Sequence, residues 1–596
     1  MIHSPLNIRR AKSAAERKYE EWCASPYYDE ETKRELQGLT AAKIEEQFGS
    51  DLEFGTGGMR GIMGAGTNRM NRYVVRRATQ GLANALLKQY KTQGERRDSQ
   101  EGKEARPALQ VAIAYDSRNN SAKFAMEAAV CLCANGIRVW LYESLRPTPQ
   151  LSFTVRRLSC AAGIVITASH NPPEYNGYKV YGGDGAQITA PMDREIMEQI
   201  QDIHSTARIR IMDETKARES GLLRLAGDDM DVRYLQSVKS CLLEAEAVRQ
   251  TAGSLRIVYT PLHGTGNVPV RRLLKELGFV NTFIVEEQAV PDGDFPTVSS
   301  PNPENPEAFS LALRLAKQAD ADLVFATDPD ADRFGAYVKK GGGGYLALTG
   351  NMAGALICEY RLERLKEAGK LPENGAIVTT IVSGKMTEAI AARYGVHRME
   401  TLTGFKYIGE QIRRFEQEGN YEFLFGYEES FGCLAGTYAR DKDAACGVLC
   451  LCEAAAYYRS RGISLAEQMQ KLWDTYGYYQ EHLVSRTAAG MDGMEKIRQT
   501  MERLRREQPD EIMGYQVQRV RDYLTGTVYN KTGHPMGKTK LPASNVLYYE
   551  LEDSAWCCVR PSGTEPKVKF YCGVRGKSGE DAIKRSEELC NWNGWL

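Results

Sequence analysis

The stretch Ala161-Ala162-Gly163-Ile164-Val165-Ile166-Thr167-Ala168-Ser169-His170-Asn171-Pro172 sets an apolar run against a turn that helix formers avoid. A short apolar run bounded in this way reads as a buried strand of a parallel α/β sheet. The turn then lies beyond the carboxyl end of its strand, where open α/β sheets bind their ligands. Ser169 is a candidate nucleophile there, yet an unassisted hydroxyl is weak and needs a base, a metal or a prior modification.

Working outward, apolar runs rich in β-branched residues recur at 109–115, 137–142, 255–259, 323–327 and 376–381 and alternate with helix-period segments. This is the pattern of βαβ units with buried parallel strands. Several runs end in polar or glycine-rich turns: Asp116-Ser117-Arg118, His263-Gly264-Thr265-Gly266, Asp328-Pro329-Asp330-Ala331-Asp332 and Ser383-Gly384. Breaks in composition at 213–224, 341–344 and 459–462 divide the chain into 1–225, 226–345, 346–462 and 463–596. At roughly 100 to 200 residues per domain, three α/β units and a C-terminal unit fit the length.

The 596 residues carry 77 Lys plus Arg against 77 Asp plus Glu. No overall field therefore favours nucleic acid or an acidic membrane, and any affinity for anions has to be local. The 14 cysteines show no Cys-x-x-Cys spacing and several fall inside apolar runs, as expected of reduced, buried thiols in an intracellular protein. Arg9, Arg10, Lys12, Glu16, Arg17 and Lys18 leave no apolar signal core, and no run of about 18 apolar residues occurs. The expectation is a soluble, cytoplasmic protein.

Asp328, Asp330 and Asp332 place carboxylates at alternate positions straight after the run 323–327, so they can converge, and converging carboxylates need a cation. An EF-hand loop is excluded, because its sixth and twelfth positions hold Arg333 and Lys339 instead of glycine and glutamate. A hard, oxygen-only site with open positions suits magnesium. Arg333 either pairs with the cluster or faces a second anion. Arg560-Pro561-Ser562-Gly563-Thr564-Glu565-Pro566 can form a backbone nest with Arg560 as a bidentate phosphate partner. Gly55-Thr56-Gly57-Gly58-Met59-Arg60-Gly61 is glycine-rich and carries an arginine but lacks nucleotide P-loop spacing. Gly426-Tyr427-Glu428-Glu429-Ser430 offers acceptors suited to vicinal sugar hydroxyls, and Lys442 lies in the mixed-charge turn Arg440-Asp441-Lys442-Asp443. A Ser169–His170 hydrolase pair is disfavoured, because neighbours on an extended chain point apart and G-x-S-x-G is absent.

Together and in this order, these motifs resemble the α-D-phosphohexomutase superfamily, in particular its phosphoglucomutase/phosphomannomutase branch, over nearly the whole chain. The resemblance implies four domains around a central cleft, three similar α/β units and a C-terminal α+β unit. It implies an intramolecular phosphotransferase in which Ser169 looks like the phosphorylated nucleophile. Asp328, Asp330 and Asp332 look like ligands of Mg2+, with a phosphate oxygen of Ser169 completing the site. Arg60 resembles the arginine beside the transferring phosphate, Lys442 the general acid/base, and His170 an orienting neighbour of the serine. Lys179 and Arg333 match positions near the reacting phosphate and sugar. Thr403, Glu428 and Ser430 look like sugar contacts, and Arg560, Ser562, Gly563 and Thr564 like the cradle of the second phosphate. The implied reaction interconverts glucose 1-phosphate and glucose 6-phosphate through glucose 1,6-bisphosphate, in a monomer or weak homodimer with no nucleic acid or membrane partner. The motif G-Y-E-E-S resembles the long bacterial phosphoglucomutases but is shared in part with phosphopentomutases. Phosphomannomutase, phosphopentomutase and a non-catalytic sugar-phosphate binder are therefore the alternatives.

Overall fold

The β-branched runs become the central strands of three sheets in a computed structural model that describes residues 12–55, 57–98, 108–488, 493–562 and 567–594. In the first sheet, Ala162–Ile166, Gln110–Tyr115, Arg138–Tyr142 and Leu223–Ala226 run parallel. Tyr175–Gly182 and Gly58–Ile62 then extend it antiparallel on the other side. The second sheet centres on Leu323–Thr327, Arg256–Thr260 and Asn281–Ile284, parallel, with Phe334–Lys339 and Tyr345–Leu348 added antiparallel. The third pairs His397–Thr401, Gly375–Thr380 and Glu422–Glu428 in parallel and closes with antiparallel Gly432–Leu434. Ala162–Ile166, Leu323–Thr327 and Gly375–Thr380 are buried at every residue, as strands covered on both faces by helices must be.

The fourth sheet has eight antiparallel strands, with Tyr478–Thr487, Lys567–Gly576 and Trp556–Pro561 at one end, and it packs helices Gly493–Glu507 and Gly579–Cys590. It is the α+β unit. The helix Ala444–Arg459 is buried at every position from Ala444 to Tyr458, so it has no solvent stripe and acts as a spine between the second and third units. All 14 cysteines are unpaired thiols, and every one except Cys23 is buried. No helix among the described residues is long and apolar enough to cross a membrane.

Two composition breaks resolve differently from the boundaries drawn on them. The glycine run 341–344 is the turn of a hairpin, because Tyr345–Leu348 pairs with Phe334–Lys339, so the second sheet continues beyond 345. The polar stretch 459–462 is a turn between two helices of one layer. Leu465, Met469 and Leu472 of helix Leu465–Tyr476 enter the same core as Ala444–Arg459, which carries the third unit past 462. At the break 213–224, Leu223–Ala226 is the last strand of the first sheet, within one residue of the boundary drawn at 225.

Candidate active site

All four sheets deliver residues to one cleft of about 1350 Å³, lined by Arg60, Ser169, Lys179, Asp332, Arg333, Thr403, Glu428, Ser430, Lys442 and Arg560 together with their neighbours. The sequence-predicted residues therefore converge. Two of them, Gly563 and Thr564, lie outside the described residues. Ser562 is described, and its N–H donates to the Lys567 carbonyl at 2.7 Å, closing the base of the loop after Arg560.

Ser169 has φ 54°, in the left-handed region. This overturns the expectation drawn from an extended chain: the turn brings His170 Nδ1 to 3.1 Å from Ser169 Oγ. The hydroxyl also donates to Asp328 Oδ2 at 2.9 Å. Burial, then Arg333 and Arg60, hold the imidazole well below its usual range, so it is neutral. His170 has no carboxylate partner among the described residues, so the third member of a hydrolase triad is missing there. The loop is fixed from behind. Ser169 N–H donates to Thr167 Oγ1, Thr167 Oγ1 donates to Asp116, and Arg118 donates to the carbonyls of Ser169 at 2.6 Å, Pro172 at 2.8 Å and Tyr175 at 3.1 Å. Arg60, on strand Gly58–Ile62, reaches the same loop through Asn171 Oδ1 at 2.7 Å.

The carboxylates of Asp328, Asp330 and Asp332 are all buried, with one oxygen from each within 4.8 Å of the others. Ala331, at φ 48°, forms the turn that folds them together. Burial and the other two carboxylates push Asp328 well above the ordinary carboxylate range. Lys179 Nζ donates to Asp330 Oδ2 and Lys442 Nζ to Asp332 Oδ2, each at 2.8 Å. Asp330 Oδ1 and Asp332 Oδ1 are buried and accept no hydrogen bond. Buried oxygens left unsatisfied call for a partner, and three carboxylates with two such atoms fit a hard divalent cation.

Lys442 is positioned by its neighbours in sequence. Tyr181 Oη donates to Asp441 Oδ2 at 2.7 Å and Tyr234 Oη to Asp443 Oδ2 at 2.9 Å, while Asp443 caps Ala444–Arg459 by accepting from the Ala445 and Cys446 amides. Burial alone would lower the Lys442 pKa, but Asp332 and Asp441 beside it more than offset this and keep it an ammonium. Arg333 Nη1 donates to Glu304 Oε1 at 2.5 Å.

On the sugar side, Glu428 ends strand Glu422–Glu428 and accepts the Gly404 amide at 2.8 Å, a contact that uses Gly404 at φ 121°. Burial raises Glu428 to about 7 against the pull of Lys442. Phe431, at φ 65°, turns the chain after Ser430. In the fourth sheet Arg560 and Lys569 are register partners on adjacent strands, and both line the cleft with Lys567 and Tyr571.

Glu304, Lys567 and Lys569 escaped the sequence reading, and Arg118 was read only as part of the turn 116–118. The two lysines had a legible signal, since their alternation in Lys567-Val568-Lys569 puts them on one face of a strand. Glu304 had none, because its partner Arg333 lies 29 positions away, and nothing in the turn 116–118 marks Arg118 as the clamp on the Ser169 carbonyl 51 positions on.

Models of phosphoglucomutase/phosphomannomutase alpha/beta/alpha domains I, II and III match residues 51–207, 232–342 and 349–476. A phosphoglucomutase of Staphylococcus aureus (strain MSSA476) is 34% identical over 542 residues, covering 91% of this chain and 92% of that protein. A phosphoglucomutase of Staphylococcus haemolyticus is 35% identical over 548 residues, covering 92% and 94%. Among solved structures, a putative phosphomannomutase from Thermus thermophilus shares the fold with a TM-score of 0.66 at 21% identity, over 91% of this chain and 99% of that one.

Proposed function

The chain belongs to the phosphoglucomutase/phosphomannomutase family, and from that membership we propose that it interconverts glucose 1-phosphate and glucose 6-phosphate, using Ser169 as phosphoryl carrier and glucose 1,6-bisphosphate as intermediate. The observation that carries this reading is Ser169 Oγ lying 2.9 Å from a buried aspartate of the triad, in the same cleft as Glu428 and Arg560.

A phosphorylated Ser169 gives its phosphoryl group to the 6-hydroxyl of glucose 1-phosphate. After the bisphosphate turns around, Ser169 takes the 1-phosphoryl back. Asp328, Asp330 and Asp332, with Ser169, would hold Mg2+, which when bound supplies positive charge to the phosphoryl oxygens. Arg60 and Lys179 add charge at the transferring group, where positioning and electrostatics supply most of the catalysis. As the neutral amine, Lys442 Nζ takes the proton that the attacking 6-hydroxyl loses in the first step, and as the ammonium it gives that proton to O1 when O1 leaves the phosphoryl group passing to Ser169. Neutral His170 orients Ser169 Oγ. Thr403, Glu428 and Ser430 bind sugar hydroxyls with Arg333 beside them. Arg560, Ser562, Gly563 and Thr564 hold the phosphate that is not transferred, in either orientation of the sugar.

The name phosphoglucomutase that the staphylococcal relatives carry supports glucose phosphates as substrates ahead of mannose or pentose phosphates. The charged residues lining the cleft suffice for the proposed chemistry on a small phosphosugar without a residue from a second copy. Unpaired thiols throughout support a reducing, cytoplasmic setting. The test is a coupled assay on glucose 1-phosphate, mannose 1-phosphate and ribose 1-phosphate, with intact-mass measurement of a phosphate adduct that Ser169→Ala abolishes. Mutase turnover surviving in Ser169→Ala would overturn the carrier role.

A further inference from the structure

Ser169 and Asp328 belong to different units, so their 2.9 Å contact requires the first unit to be held in register with the second. Segment 293–304 of the second unit touches the Ser169 loop at Ser300 and the neighbouring turn 118–119 at Gly293, Asp294 and Phe295. Asn119 Nδ2 donates to Asp294 Oδ1 at 2.6 Å, and a side chain at Gly293 would strike the Asn119 amide, so the two backbones meet without a gap. The Arg118 guanidinium, which grips the serine-loop carbonyls, lies 5.0 Å from the centre of the Phe295 ring. Ser300 Oγ donates to the carbonyl of His170 at 2.9 Å. Beyond it, Glu304 takes Arg333.

The same segment is tied to the aspartate loop. His263 bridges it, with Nδ1 3.0 Å from the Val290 carbonyl and Nε2 2.9 Å from Thr297 Oγ1. One residue on, Gly264 abuts Pro329, and Thr265 N–H donates to the Pro329 carbonyl at 2.8 Å. Phe295, Leu262 and His263 all have positive φ, at 47°, 45° and 60°. For bulky side chains this conformation is strained and persists only where the surroundings over-determine it.

We propose that segment 293–304 is a positioning strap: through Phe295 on Arg118 and Ser300 on the His170 carbonyl it registers the Ser169 loop on the aspartate loop. The inference rests on the phosphoryl-carrier reading above. Phe295 and Ser300 touch no reacting group, so their effect passes through Arg118 and the loop backbone. Misplacement of reacting atoms by about 1 Å costs up to about a hundredfold in rate.

The experiment compares wild type, Ser300→Ala, Phe295→Leu, the double variant and Ser300→Thr. It reads kcat and KM on glucose 1-phosphate, melting temperature, and hydrogen–deuterium exchange of the amides in 168–176. The expected result is a kcat reduced about 10- to 100-fold in the double variant at unchanged KM, with exchange accelerated in that loop alone. Ser300→Thr, which keeps the hydroxyl, should retain the wild-type values. Unchanged kcat and loop exchange would overturn the proposal, as would a general fall in melting temperature with exchange rising throughout the first unit. If the double variant does not fold, Ser300→Ala decides by the same readouts. A wild type without turnover on any phosphosugar would sink the mutase reading, and the exchange measurement would still decide the strap.

Discussion

Glu428 shows how one residue's surroundings set its chemistry. Burial brings its carboxyl to about 7, with Lys442, Arg333 and Glu429 as the charged groups facing it. As an acceptor for sugar hydroxyls it works best ionised, so kcat/KM should rise between pH 6 and 8. Glu428→Gln should remove that limb and lower kcat/KM about tenfold or more, as expected for a lost charged hydrogen bond of about 1.5 to 3 kcal/mol. Asp330→Asn should raise the magnesium concentration needed for half-maximal activity, read by titration of the apo-enzyme, and an unchanged requirement would remove Asp330 from the ion site. Ser169 and the three aspartates were legible because each falls in a short turn after an apolar run, and Glu428 and Arg560 because each stands at or next to the end of a strand that leads into a glycine-bearing loop. The contact between Ser169 and His170 was not, because a positive φ at a serine leaves no mark in composition.

At the scale of the element, the helix Ala444–Arg459 and its cap carry a stability prediction. Burial raises the Asp443 carboxyl to about 7, against the hydroxyls of Tyr438 and Tyr234 that it accepts. Its folded pKa lies above the unfolded value of about 3.9, so between about pH 4 and 7 the folded state binds more protons and stability falls as pH rises. Asp443→Asn keeps a good cap and should flatten that slope, which melting temperatures across the window would read. A slope unaltered by the substitution would show that Asp443 is ionised in the fold. The parallel strands were legible from β-branched runs of five or six residues. The antiparallel additions Tyr175–Gly182 and Phe334–Lys339 were not, since pairing direction is set by connections and neighbours. Nor could a glycine run distinguish a linker from a hairpin turn.

Across the whole molecule, the third and fourth units are joined by a charged network in which Arg521 Nη1 donates to Glu400 Oε2 at 2.9 Å and Lys385 and Arg398 bind the same carboxylate. Burial would raise the Glu400 pKa, but those three cations hold it well below its usual range. Arg521→Ala should loosen the unit that carries Arg560. KM should then rise several-fold with little change in kcat, and proteolysis between the units should quicken. An equal fall in kcat would instead mean that the network reaches the chemistry. The four-unit architecture was legible through motif order, whereas the strap behind Ser169 was not, because it joins residues more than a hundred positions apart. Ser169, Ala331 and Phe431 each hold the left-handed backbone that most side chains avoid, one in each of three loops around the cleft. Such positions cost about 1 to 3 kcal/mol apiece. Heat tolerance and turnover therefore draw on the same three peptide units. A library of this sequence selected for survival at high temperature alone should accumulate glycine at Ala331 and Phe431 and drift toward proteins that melt later and turn over more slowly.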